Sequence, residues 1–133
     1  MKLFQKKEIF KVKSVPLDPD QITNPTTAQE FHRRGTAYYA RKLYDLAVGD
    51  FKQAIALDDN MVDAHYSLGM VLKAIGRKEE AVAAFQKVVD LVTPEVGSGK
   101  VSADMLRKLA LGHKNELTQG DWNLEKEIWK HID

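Results

Sequence analysis

The chain has 133 residues, 44% of them apolar and 29% charged, which suits one folded unit with a sizeable core. Twenty Lys and Arg against nineteen Asp and Glu leave a net charge of +1, so nothing in the balance asks for nucleic acid or an anionic membrane as partner. There is no cysteine, which excludes disulfides, thiolate nucleophiles and cysteine metal sites. No apolar run approaches the roughly 20 residues of a membrane span or the about 7–15 of a signal peptide, so a cytoplasmic protein is expected.

Residues 1–25 read as an extended, basic N-terminal arm. They carry five lysines in the first thirteen positions and three of the four prolines, Pro16, Pro19 and Pro25. The stretch Phe10–Val15 alternates weakly, as a short strand or an extended segment would, and the prolines close off any helix before Thr26.

A helical period then takes over. Thr27-Ala28-Gln29-Glu30 forms a capping box and predicts a helix to about Arg41, followed by a second from about Tyr44 to Leu57. Asp58-Asp59-Asn60 breaks the chain and offers Asn60 as the cap of a third helix, from about Met61 to Ile75, which Gly76 ends. A fourth spans about Lys78 to Leu91. Thr93-Pro94 and Gly97-Ser98-Gly99 make a loop. Ser102 is the expected cap of a fifth helix reaching about Leu117, and Gly120-Asp121 turns into a sixth with Trp122, Ile128 and Trp129. Six helices in three antiparallel pairs define an all-α fold over residues 26–133.

The pairs repeat. Gly35 and Gly69 lie 34 residues apart, as do Ala47 and Ala81, Phe51 and Phe85, Ala37 and Val71, Tyr38 and Leu72, and Ala54 and Val88. A glycine on the first helix of a pair lets the second approach closely, a small alanine sits at the crossing, and an aromatic one turn later fills the space. This pattern resembles the tetratricopeptide repeat, whose signature reads W-x2-L-G-x2-Y, then A-x3-F, then P. Phe31, Gly35, Tyr38, Ala47 and Phe51 match it in a first unit (residues 28–61), and Leu68, Gly69, Leu72, Ala81 and Phe85 in a second (62–95), with Pro94 one place late. Arg34 and His65 stand at usually apolar positions, and Asp59 where proline is expected. A divergent third unit (102–133) has Leu111-Gly112, with Leu124 at the alanine position and Ile128 at the aromatic one, while Lys108 and Asn115 occupy positions that should be apolar.

The resemblance implies a right-handed superhelix of helix pairs whose first helices line a concave face that holds a partner's peptide or helix. With Gly35 and Gly69 at the eighth repeat position, the groove residues are Gln29, His32, Thr36, Tyr39 and Ala40, then Asp63, Tyr66, Met70, Lys73 and Ala74, then Leu109 and His113. Their spacings of three and four keep each set on one side of its helix. Two tyrosines and a methionine on a polar stripe suit a peptide surface, and Lys73 could orient an acidic group. One subfamily clamps the acidic C-termini of chaperones with lysine and asparagine at fixed positions; His32, Thr36 and Met70 stand there instead, which argues against that activity. The expected function is a non-enzymatic adaptor or scaffold, and the alternative is an assembly subunit that self-associates through the solenoid ends.

Catalytic readings find no support. His32, His65, His113 and His131 show no metal-ligand spacing, so no metal or other cofactor is expected. Gly97-Ser98-Gly99-Lys100 lacks the spacing and preceding strand of a phosphate loop. Asp58-Asp59 and Glu79-Glu80 sit at helix starts, where they offset the helix dipole. Trp122 and Trp129, seven apart, are expected to pack on the fifth helix.

Overall fold

The computed structural model describes residues 17–122, which form five α-helices and no strand. They are α1 (Ala28–Ala40), α2 (Tyr44–Leu57), α3 (Val62–Ala74), α4 (Lys78–Val92) and α5 (Val101–Gln119). Each helix packs antiparallel on the next, and α3 inserts between the α1–α2 hairpin and α4. The expected sixth helix, with Leu124, Ile128 and Trp129, lies outside the described residues, as does the Phe10–Val15 stretch.

Local chemistry explains the boundaries. At the start of α1 the Glu30 amide donates to the Thr27 hydroxyl at 3.1 Å and the Thr27 amide to the Glu30 carboxylate at 3.3 Å, the reciprocal box expected from the sequence. The ends of α1 and α3 share one motif: the Leu43 amide reaches back to the Tyr38 carbonyl at 2.9 Å, and the Arg77 amide to the Leu72 carbonyl at 2.9 Å. That turn needs a left-handed residue. Gly76 supplies it with φ +81°, but at the matching place one repeat earlier Lys42 takes φ 60°.

Two expected caps differ. Asn60 does not cap α3: Met61 holds that position, and the Asn60 amide donates instead to the Asp58 carboxylate at 3.1 Å in a turn of its own. Ser102 lies inside α5, whose N-cap is Lys100, and a 3₁₀ turn over Thr93–Glu95 tightens the end of α4. Neither start has a side-chain cap.

The core follows the repeat. Ala47, Phe51, Ala81, Phe85 and Val88 are almost wholly buried. A Cβ added at Gly35 would stand 2.7 Å from the Phe51 ring, and one at Gly69 would stand 2.8 Å from the Phe85 ring. In the third unit Gly112 meets Trp122 in the same sense, and the indole occupies the space a side chain would need. Trp122 does so from a non-helical segment just past Gly120, which takes φ +82° after α5.

Residues 17–25, read from the sequence as part of an extended arm, contain a 3₁₀ turn (Pro19–Gln21) with Pro19 buried. Two arginines hold them against α1: Arg34 donates to the Ile22 carbonyl at 3.2 Å and Arg41 to the Leu17 carbonyl at 2.8 Å. Arg34 also forks onto the buried Asp50 at 2.7 and 2.8 Å and lies over the Phe31 and Tyr38 rings. A bidentate, ring-stacked guanidinium is how an arginine fits a usually apolar position.

The glycines separate structural need from tolerance. Gly69→Leu forces the Phe85 ring aside and should lose at least about 1–3 kcal/mol, and Phe85→Ala about 3–5 kcal/mol. Gly49, mid-helix on α2 with nothing within 4 Å of its missing Cβ, is the counter-case. Gly49→Ala should gain about 0.5–1 kcal/mol. Chemical denaturation of the three variants checks the set, and a neutral Gly69→Leu would break the assigned register.

Candidate functional site

The predicted concave-face residues lie on α1, α3 and α5. Gln29, Thr36 and Asp63 are exposed there; His32, Tyr39, Tyr66, Met70, Lys73 and Leu109 are partly buried, and His113 is buried. The arrangement is more cross-linked than a stripe of independent side chains. His32 Nε2 lies 2.9 Å from the Ser67 hydroxyl, tying α1 to α3. Tyr39 packs against Tyr44 with ring centres 5.7 Å apart. The Thr36 hydroxyl donates to the His32 carbonyl of its own helix at 2.8 Å, so it shapes the surface without bridging it.

The densest part joins α3 to α5. Lys73 donates to the Glu116 carboxylate at 2.7 Å and lies 3.1 Å from His113 Nδ1, while His113 Nε2 lies 3.1 Å from the Tyr66 hydroxyl. A lysine ammonium can only donate, so Nδ1 accepts; the neutral imidazole therefore carries its proton on Nε2 and donates to Tyr66. The His113 ring also stacks on Phe85 with centres 4.9 Å apart and meets the Trp122 indole edge-on at 4.6 Å. Phe85 is the ring that seats on Gly69, so the core contact of the second hairpin directly supports the face.

Burial lowers the His113 pKa first, the adjacent Lys73 charge lowers it further, and Glu116 opposes both. His32 is lowered by burial against a smaller opposing pull from Asp63. The Tyr66 phenol is raised by burial, so it stays a neutral hydrogen-bonding group. The Glu116 carboxyl is lowered by the hydrogen bond and charge of Lys73. Among the described residues no group of three or more His, Asp or Glu could hold a metal ion, and no helix is long and apolar enough to cross a membrane.

Glu116 and Ser67 were not picked out from the sequence. Glu116 had a signal: it follows Lys73 by 43 residues, the same offset that separates Gly112 from Gly69, so it occupies the Lys73 position of the third unit. Ser67 had none, because its role depends on how far α1 stands from α3. His65, read as structural, is buried and bonds through Nε2 to the Asp59 carbonyl at 2.8 Å.

Successive helix pairs that pack on one another define the class as a helical-repeat protein. The TPR repeat family matches residues 35–76 and the tetratricopeptide repeat family matches residues 62–91. Similar curated proteins include the small glutamine-rich tetratricopeptide repeat-containing protein 2 of Saccharomyces cerevisiae, 31% identical over 104 residues covering 78% of this chain. The protein of the same name from Mycosarcoma maydis is 37% identical over 68 residues covering 51% of this chain. The chain spans only 28% and 19% of the lengths of these two relatives. Among solved structures, the crystal structure of MamA aligns with a TM-score of 0.57 at 24% identity, covering 86% of this chain and 70% of that one. A second MamA structure aligns at 0.53 with 27% identity, covering 80% and 58%. Over residues 35–91 the chain consists of tetratricopeptide repeats, the family that both matching models and the curated relatives share.

The lowered histidines give the protein a pH signature. Unfolded imidazoles take up protons near pH ~6.5, whereas His32 and His113 resist until lower pH. The unfolded chain therefore binds more protons in that window, so stability is full above about pH 6.5 and falls as pH drops toward the folded values. Melting temperature should decline between about pH 7 and 5.5, and less steeply in the His32→Gln/His113→Gln double variant. Equal slopes in the two proteins would show that these rings do not control the decline.

Proposed function

We propose that the chain acts as a non-enzymatic adaptor whose concave face binds a peptide or helix of a partner protein. The observation that carries this reading is the pre-ordered α3–α5 surface. Tyr66, His113, Lys73 and Glu116 hold one another, leaving Met70, Thr36, Gln29 and Asp63 as the adjustable part of the same face. A face already fixed in its bound form loses little side-chain entropy on docking, which favours affinity. Because Lys73 is paired with Glu116, an acidic ligand group would have to compete for it, which argues against purely charge-driven capture.

Photo-crosslinking from position 70 should capture the partner and yield a defined cross-linked peptide. Against that partner, Thr36→Arg and Met70→Ala should each weaken binding by at least about 1 kcal/mol, roughly fivefold. Both variants should melt within a few degrees of the parent. Unchanged affinity in both would move the partner off the concave face.

Self-association through the solenoid ends is a second reading, and it draws on Leu43 and Leu46, which are 45% and 53% exposed at the α1–α2 turn. Light scattering across a concentration series separates the two, since a constant monomer mass removes the second.

A further inference from the structure

Residues 17–22 form a strap that runs along α1 in the opposite direction to the helix. Arg41 donates to the Leu17 carbonyl, and Arg34, two turns or about 10 Å earlier on α1, donates to the Ile22 carbonyl. Leu17 is half-buried, and with His32, Arg33, Thr36, Ala37 and Ala40 of α1 it lines a mostly apolar cleft of about 350 Å³. His32, Thr36 and Ala40 are positions assigned to the concave face. The strap therefore sets one apolar side chain of its own against the first-unit end of that face.

Its two fastenings differ in strength. Arg34 is already fixed by its fork onto the buried Asp50 and by the Phe31 and Tyr38 rings, so the Ile22 carbonyl meets a donor held in place. Arg41 is exposed, and the Leu17 carbonyl is the one acceptor its side chain holds among the described residues. Water replaces an exposed bond of that kind at little net cost. The turn between the two arginines holds itself together. The Asp20 amide donates to the Asp18 carboxylate at 3.0 Å, the Gln21 amide to the Asp18 carbonyl at 3.0 Å and the Ile22 amide to the Pro19 carbonyl at 3.1 Å, with Pro19 buried. These bonds begin at Asp18, so Leu17 can swing away from α1 at the loss of the Arg41 hydrogen bond alone.

We infer, resting on the concave-face reading above, that the strap is a gate on that face: hinged at Asp18, it seats Leu17 on α1 as an internal stand-in for the partner. The partner's segment opens the gate by placing a leucine-sized apolar side chain in that seat and a backbone carbonyl on Arg41. The occupant of the closed seat defines the chemistry of the ligand that replaces it: an extended chain, apolar at one residue. A tethered competitor lowers the apparent affinity of that ligand by the fraction of time the seat is filled, so the gate sets the concentration at which this end of the face engages.

The test uses the full chain, isotope-labelled for NMR, and a synthetic peptide that copies residues 15–22. A control peptide carries serine at the position of Leu17. In the Leu17→Ser chain, whose seat is empty, the leucine peptide should shift the His32, Thr36 and Ala40 amides saturably. It should bind the parent chain at least about tenfold more weakly, because there the tethered Leu17 competes. The serine peptide should bind neither chain. A second measurement needs no emptied seat. The sequence contains no cysteine, so a short bismaleimide can join Leu17→Cys to Ala40→Cys without side reactions. The bridge should form within one chain, and the bridged chain should not bind the leucine peptide. Met70→Ala, which probes partner binding on α3, should leave the peptide's affinity unchanged, so failure of the gate and failure of the concave-face reading show separately. The gate is overturned by equal affinity of the leucine peptide for parent and Leu17→Ser chains, by equal affinity of the two peptides, or by a bridge that does not form. Absence of saturable shifts at about millimolar peptide, or a tenfold loss in Met70→Ala, would likewise overturn it.

Discussion

The hairpins close where a glycine on the first helix leaves room for an aromatic ring from the segment that follows. Gly35 takes Phe51, Gly69 takes Phe85, and Gly112 takes Trp122. Because a side chain at any of these glycines would collide with the ring, the contact fixes how near the packed segments lie. A core this dense responds to changes of a single methylene, so the contact distance is not freely adjustable. Everything on the surface inherits that spacing. His32 on α1 meets the Phe51 ring and Tyr66 on α3 meets the Phe85 ring, and Phe85 extends the contact outward by stacking on His113.

That stack explains why the third unit, though divergent, is bound to the second. His113 lies between the Phe85 ring and the Trp122 indole, and its two nitrogens reach Lys73 and Tyr66 on α3. Protonating the imidazole would put an N–H where Lys73 now donates, setting two donors against each other. The neutral ring is therefore part of the packing as well as of the surface. Asn115, which the repeat pattern would make apolar, is likewise buried on α5.

Most of the fold was legible in the sequence because the determining residues are small or aromatic and recur at one period. The Gly-Ala-Phe register, the Thr27–Glu30 box and the stop at Gly76 follow from local chemistry. What failed was also local. Asn60 and Ser102 have good capping side chains, yet α3 starts after Met61 and α5 after Lys100, neither with a side-chain cap. Arg34 looked like a departure from the pattern because its partners, Asp50 and the Ile22 carbonyl, are 16 and 12 residues away in sequence. The segment before α1 supplies one of those partners, so a charged fork takes the place of an apolar contact there. The concave stripe was readable residue by residue from helical spacing. Its cross-links were not, because hydrogen bonds from α3 to α5 depend on an interhelical distance that no single helix encodes.

The two faces of the module differ in physical kind. On the concave side, charges and rings are largely paired: Lys73 with Glu116, His113 with Tyr66, Tyr39 with Tyr44. If this face binds a partner as proposed, it would select by shape, since a ligand that displaces one of these pairs must replace its hydrogen bonds or leave a partly buried group unsatisfied. On the outer side, the space between α2 and α4 is lined by Leu68, Ile55 and Ala83, with Lys52, Lys87, Asp59 and Glu80 around it. The same Gly69–Phe85 contact underlies both, because it sets α3 against α4: one side of α3 presents Tyr66 and Met70, and the other presents Leu68 and Leu72. A change in how that ring seats would therefore reach both surfaces, whereas a substitution on either exposed rim would remain local.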